Sequence, residues 1–288
     1  YLVDASPYIF RAHFSVRDVE APDGSPAGAL YGFAHFLLRL ARQAAPSHIA
    51  VAYDQNFSGS FRNDTYPAYK QNRDEVPQAI EDQKADCFAL GQALGMACYI
   101  DERYEADDLI AALLVKLPLA ELEEVVIVSA DKDLAQLVSD KVTLWDFARD
   151  QRFGPPEVKE KFGVWPLQIT DYLGLAGDSV DNIPGVKGVG PKTASALLGE
   201  FADLDELYDD LDRVTSLSIR GAKTLPKKLE ANRENAFLSR DLATVAADAP
   251  VEATLSDLAW PGANRDALEA LADKWGFDSL VERVTKWA

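Results

Sequence analysis

Short apolar runs alternate with amphipathic stretches over the first half of the chain. The runs Tyr1-Leu2-Val3, 48–53, 124–129 and 142–145 are rich in β-branched and aromatic residues, the pattern of strands buried on both faces. Between them, 29–45 places Phe33, Phe36, Leu37 and Leu40 on one stripe, and 80–94 and 106–117 repeat the helical period. Strands alternating with helices of this size predict an α/β core with a mostly parallel central sheet flanked by helices.

From about Pro155 the strand signal stops. Helical patterns follow at 156–162, 166–173, 193–198, 204–211, 225–232 and 234–242. After Asp248 the signal weakens to one amphipathic helix at 265–275 and a short last one. The expected division is an α/β core over 1–154 and a helical region over 155–288 that packs back on it. One stretch, 56–77, stands apart: Phe57, Phe61, Tyr66 and Tyr69 interleave with Arg62, Lys70 and Arg73 in a polar setting. It reads as a mobile excursion outside the core.

Composition narrows the class. The 288 residues carry 47 Asp and Glu against 29 Lys and Arg, a net charge of −18, and are 48% hydrophobic. That is a globular balance. Cys87 and Cys98 form no CxxC pair, which excludes a disulfide scaffold and a structural zinc site. No run nears the roughly 18 apolar residues of a membrane span, and Tyr1-Leu2-Val3-Asp4 lacks the basic start of an export signal. The expectation is a monomeric cytoplasmic protein with reduced thiols. Taken alone, the acidity argues against a nucleic-acid partner, unless the charges are segregated.

The acids do cluster. In open α/β sheets ligands bind beyond the carboxyl ends of the strands, and Asp4, Asp54 and the pair Asp131/Asp133 follow such ends. Glu105-Ala106-Asp107-Asp108 opens a helix with Glu105 and Asp108 on one face, and Asp178 and Asp181 repeat that spacing. Any one of them alone reads as a solvated residue or a helix cap. Nine acids from five segments would repel unless divalent cations neutralised them. An all-oxygen set without His or Cys favours Mg²⁺ or Mn²⁺ over zinc, and nine acids are too many for one ion. Two ions about 3.5–4 Å apart suit in-line attack on a phosphodiester, one activating water and the other stabilising the leaving oxygen.

A second signal is the segment from Ile183 to Ala194, with Gly185, Lys187, Gly188, Gly190 and Lys192 between two helical patterns. It matches no nucleotide-binding loop. Glycines let backbone N–H groups approach an anion, and the lysines add full charge. This helix-hairpin-helix pattern, at about 170–200, suits gripping a DNA backbone without reading its sequence. Arg220, Lys223, Lys227, Lys228 and Arg233 follow and would extend such a track. With the nine candidate ligands set aside, 38 acids still outnumber the 29 bases, so the surface away from DNA is acidic.

These pieces together resemble the bacterial 5′-nuclease (flap endonuclease) family, which includes the nuclease domain of DNA polymerase I. The resemblance rests on Leu2-Val3-Asp4-Ala5-Ser6, Phe61-Arg62 with Tyr66-Pro67-Ala68-Tyr69-Lys70 and Arg73, Glu105-Ala106-Asp107-Asp108, Ser129 to Leu134, and Gly177 to Ala194. It covers the chain to about Asp248. It implies a PIN-like nuclease core, with Asp4, Asp54, Glu105, Asp107, Asp108, Asp131, Asp133, Asp178 and Asp181 as metal ligands. The stretch at about 56–85 becomes a helical arch passing a 5′ single strand. Lys70 and Arg73 match catalytic cations, and Tyr69 matches an aromatic position that either stacks on a base or packs the arch. Arg62 either holds phosphate or pairs with an acid such as Asp64. K⁺ at the hairpin is a further implication. Asp74 and Glu75 depart from the family pattern beside the strand's path.

The implied activity is metal-dependent hydrolysis of DNA at 5′ flaps and 5′ ends in replication and repair, leaving a 5′-phosphate and a 3′-hydroxyl. Two other readings compete: a metal-dependent ribonuclease with a similar core, and a branched-DNA-binding module without catalysis. The hairpin argues against the first. The retained acids argue against the second, since a pure binder gains only repulsion from them.

Overall fold

The computed structural model describes residues 1–56 and 60–288. Strands β1 (Leu2–Asp4), β2 (Ala50–Asp54), β3 (Ala97–Asp101), β4 (Val125–Val128), β5 (Val142–Asp146) and β6 (Gln151–Phe153) form one sheet in the order β3-β2-β1-β4-β5-β6. All neighbours run parallel except the β5/β6 pair at the edge. The helices in chain order are α1 (Ser6–Ser15), α2 (Gly28–Ala44), the single turn α3 (Arg62–Thr65), α4 (Gln78–Ala93), α5 (Ala106–Lys116), α6 (Pro155–Phe162), α7 (Ile169–Ala176), α8 (Pro191–Leu197), α9 (Leu204–Asp209), α10 (Leu211–Val214), α11 (Leu225–Ala231), α12 (Arg233–Ala243), α13 (Arg265–Trp275) and α14 (Ser279–Glu282).

Strand side chains alternate between two cores, as a pleated backbone requires. Val3, Val51, Tyr53, Val126 and Val128 meet Phe33 and Leu37 of α2 and Leu90 of α4 on one face. Leu2, Ala50, Ala52, Ile127 and Leu144 meet Leu109 and Leu113 of α5 on the other. That second core continues without a break through Leu173, Leu197, Leu229 and Leu242 of the helical half. The first core takes in Trp260, Leu268 and Trp275 from the C-terminal segment. Ile49 N–H also donates to Leu258 O at 2.8 Å, tying that segment to the start of β2.

The chain steps outward from β1 to β2 to β3, then returns through α5 to β4 on the other side of β1. The crevice beyond β1 and β4 is therefore the switch point where such sheets bind ligands.

Five features differ from the sequence pattern. Helix α1 and strands β3 and β6 are additional elements, and the expected helix at 166–173 is a 3₁₀ turn, Pro166–Gln168, followed by α7. The expected helical arch is, among the described residues, the single turn α3 and successive turns to Arg73. Phe57 lies outside the described residues.

Candidate active site

Asp4 ends β1 and Asp54 ends β2, while Asp131 follows β4 and Glu105 and Asp107 open α5. These five acids line one cleft of about 200 Å³ together with Ser6, Pro7, Phe10, Lys70 and Arg73. Several are held by fixed donors. Asp4 accepts from Ser129 Oγ at 2.6 Å and from Ser6 N. Asp54 accepts from Ser6 Oγ and, at 2.7 Å, from Ala106 N at the start of α5. Ser6 and Ser129 were not singled out in the sequence, although both lie inside the quoted motifs.

A second cleft of about 310 Å³ lies alongside, lined by Lys132, Asp133, Tyr172, Gly177, Asp178 and Ser179. Lys132 Nζ meets Asp178 Oδ2 at 2.7 Å, and Asp178 Oδ1 accepts from Val180 N. The buried Oδ1 of Asp133 has no hydrogen-bond partner. Asp181 is paired with Arg73 and lies 3.9 Å from Lys70 Nζ, two cations that line the first cleft.

Desolvation is the largest cause raising the carboxyls of Asp4, Asp107, Asp131 and Asp133 above their usual range. Neighbouring acids add to it: Asp54 acts on Asp4, and Asp131 acts on Asp107 and on Asp133. Burial would lower the Lys70 ammonium, but Glu105 and Asp181 outweigh it and hold the group charged. The arrangement is a negative pit with cations at its mouth, built to receive positive charge.

Three expected site residues turn inward. Asp108 is fully buried, and its oxygens take Arg62 Nη1 and Nη2 at 2.9 and 2.8 Å, Glu105 N at 3.0 Å and Ala246 N at 2.7 Å. No oxygen of Asp108 is left for a metal. Arg62, expected at phosphate or beside Asp64, is 4% exposed and also donates to Leu242 O and Thr244 O. Asp64 pairs with Arg103 instead. Tyr69 is 3% exposed, with its hydroxyl between Glu105 and Asp181. It packs under the segment and cannot stack on a base in this arrangement. A guanidinium this deep needs full pairing, which the sequence does not reveal.

The segment carrying Lys70 is docked. Lys70 N donates to Asp181 O at 3.0 Å, Asn182 Nδ2 to Ala68 O at 2.6 Å and Asn72 Nδ2 to Ser179 O at 2.6 Å. Lys70 and Asn182 both hold positive φ, 58° and 57°, a conformation that costs a non-glycine residue energy and recurs at functional sites. The result aims Lys70 Nζ at Glu105 Oε1, 2.6 Å away. Asp74 and Glu75 are exposed beside it.

In the hairpin, Val186 and Val189 are buried while Lys187, Gly188 and Lys192 are exposed. Gly190 faces open space, and the Lys228 ammonium lies beside Gly188. Gly185 differs from the expectation of a phosphate contact. Its N–H donates to buried Ser239 Oγ at 2.9 Å, and a Cβ there would meet Gly177 N at 2.4 Å. It is a packing glycine. Arg220 and Lys223 are exposed on the following turns.

Residues 1–163 match the family model described as the 5′-3′ exonuclease N-terminal resolvase-like domain, and 164–266 match its C-terminal SAM fold. The chain belongs to the 5′-3′ exonuclease family. It is 42% identical over its whole length to DNA polymerase I of Pseudomonas aeruginosa, of which it spans 31%. It is 32% identical to a 5′-3′ exonuclease of Buchnera aphidicola, covering 89% of each chain. The fold is shared with bacteriophage T5 5′-exonuclease with bound zinc (TM-score 0.69, 23% identity, 97% of each chain). It is shared also with the catalytic core of Rad2 in complex with DNA substrate (TM-score 0.63, 18% identity, 98% of this chain and 91% of that one).

For a member of this exonuclease family the donor set fits hard divalent cations: it is all oxygen, desolvated, and includes an unpartnered buried oxygen on Asp133. Among the described residues, no three His, Cys, Asp or Glu side chains are arranged to hold an ion as they stand. Lys70, Arg73 and Lys132 reach carboxylates of the clefts instead.

Proposed function

We propose that the chain hydrolyses DNA phosphodiesters at the junction of a 5′ single strand and duplex, and removes short pieces from 5′ ends, in replication and repair. The observation that carries this is the cleft at the sheet's switch point, lined by five carboxylates and two cations. Asp4, Asp54, Glu105, Asp107 and Asp131 would hold one divalent ion, and Asp133, Asp178 and Asp181 a second, either Mg²⁺ or Mn²⁺. Bound there, such ions neutralise the acids, polarise the phosphodiester and lower the pKa of water. Ser6, Ser129 and the start of α5 fix the carboxylates in place. Lys70 and Arg73 would place positive charge where negative charge develops on the scissile phosphate. Lys187, Lys192 and the open backbone near Gly188 and Gly190 hold the duplex backbone, with Arg220, Lys223, Lys227 and Lys228 along the same track. K⁺ against the hairpin carbonyls belongs to the same proposal, as do a monomeric state and a cytoplasmic location. No helix among the described residues is long and apolar enough to cross a membrane.

The test compares matched DNA and RNA flaps, labelled at the 5′ end, in Mg²⁺ and in EDTA. Cutting of the DNA flap near the junction, dependent on Mg²⁺, supports the proposal. Preference for the RNA flap, or cutting that persists in EDTA, contradicts it.

A further inference from the structure

The second cleft contains a cation that the nuclease reading does not use. Lys132 sits between Asp131, which lines the first cleft, and Asp133, which lines the second. Among the described residues lining the second cleft it is the only Lys or Arg. Its Nζ is 2.7 Å from Asp178 Oδ2, and Asp178 is almost entirely enclosed while the lysine side chain is 45% exposed. Asp178 Oδ1 is already committed to Val180 N, so Oδ2 is the oxygen left for an ion. The neighbouring Asp133 Oδ1 has no partner at all. The cleft thus offers one carboxylate oxygen that is empty-handed and one that a flexible side chain covers.

We propose, on the basis of the two-cation nuclease reading, that Lys132 is a placeholder counter-ion that sets the affinity of the second cleft for its divalent cation. An ammonium and a divalent ion cannot share Asp178 Oδ2 in one small cleft, because like charges at such range repel strongly. Loading the cleft therefore requires the lysine to swing outward, and its exposed stem permits that. In the absence of an ion the same pair limits repulsion among Asp133, Asp178 and Asp181. Lys70 differs from it. That ammonium is enclosed on a docked segment, with its side chain only 10% exposed, whereas Lys132 has solvent to swing into. Lys132 is a positioning residue for charge, not a group that touches the substrate in this scheme.

The test titrates Mn²⁺ into the DNA-free protein, read as the loss of the free-ion electron paramagnetic resonance signal, for wild type, Lys132→Met and Lys132→Arg. Lys132→Met should tighten the weaker of two Mn²⁺ equivalents by roughly tenfold, the scale of removing one close charge, and leave the tighter one unchanged. Lys132→Arg should stay near wild type. Thermal melts in EDTA should show the Met variant folded but less stable than wild type, with a larger rise on adding Mn²⁺. Equal or weaker Mn²⁺ binding by folded Lys132→Met overturns this inference and leaves the nuclease reading intact. Absence of Mn²⁺ binding by all three proteins overturns both.

Discussion

Asp107 and Asp108 are neighbours in sequence with opposite environments. Asp107 faces the first cleft, and its carboxyl is raised by desolvation, then by Asp131, Asp4 and Asp54. A carboxyl raised in the fold disfavours its ionised form, so this contribution to stability is gained as pH falls through the raised value and lost above it. Asp107→Asn mimics the protonated form. In EDTA at pH 7 it should stabilise the protein by about 1 kcal/mol, with the gain vanishing in acid, while flap cleavage in Mg²⁺ drops by roughly 10²-fold or more. Thermal melts across pH and single-turnover cleavage check both halves. Asp108→Asn should do the reverse. Stripping the charge from the partner of buried Arg62 costs about 3–5 kcal/mol, yet the Mg²⁺ midpoint of whatever remains folded should match wild type. Urea titration and a metal titration separate the two effects. The cluster of acids was legible in the sequence, but its sorting into facing and inward members was not. Asp108 and Arg62 are 46 residues apart in sequence, and no local pattern announces their pairing.

At the scale of elements, the strands and long helices followed their periodicity because each buries a whole face. The misses have physical causes. Strand β3 reads Ala-Cys-Tyr-Ile-Asp at a sheet edge and is only partly buried along its length, so its apolar signal is thin. The segment from Phe61 to Arg73 reads as polar because its charges are satisfied by distant partners, not by water. Its docking through Asn182 gives a prediction. Asn182→Ala removes the bond to Ala68 O and leaves a β-carbon residue at positive φ, so kcat should fall about tenfold through loss of Lys70 positioning. Lys70 already being in place in wild type, duplex binding should be unchanged, and a filter-binding assay beside cleavage kinetics checks this. In the hairpin, Lys187→Ala with Lys192→Ala should weaken binding to all duplex sequences alike and reduce the salt slope by about one per lost phosphate contact. Binding measured across a salt series reads it.

For the whole molecule, net charge alone does not describe how the charges are placed. A net charge of −18 coexists with a basic track, because many of the acids gather in the clefts and over the remaining surface. The boundary expected near residue 154 marks a change of secondary structure, but not a break in the core, since Leu2 and Ile127 share a cluster with Leu173 and Leu229. After Asp248 the expected helix at 265–275 forms as α13 and brings Leu268 and Trp275 to the face of α2 and α4, but Trp260, which joins them there, lies outside any periodic stretch. An isolated apolar residue such as Trp260 completes a surface supplied by other elements, so no periodicity shows it. Removing 249–288 should therefore lower the melting temperature of the remaining protein and expose apolar surface to a hydrophobic dye, and an unchanged melt would contradict this packing.

Buried acids at the switch point of the sheet are proposed here to hold the cations that cleave DNA. The decisive measurement uses a 5′-labelled flap on duplex DNA, in Mg²⁺ or EDTA, for wild type and Asp131→Ala. The expected result is Mg²⁺-dependent cutting at the junction by wild type, and retained flap binding without cutting by Asp131→Ala. Tight flap binding by wild type with no cleavage in any divalent metal would contradict it, as would undiminished cutting by Asp131→Ala.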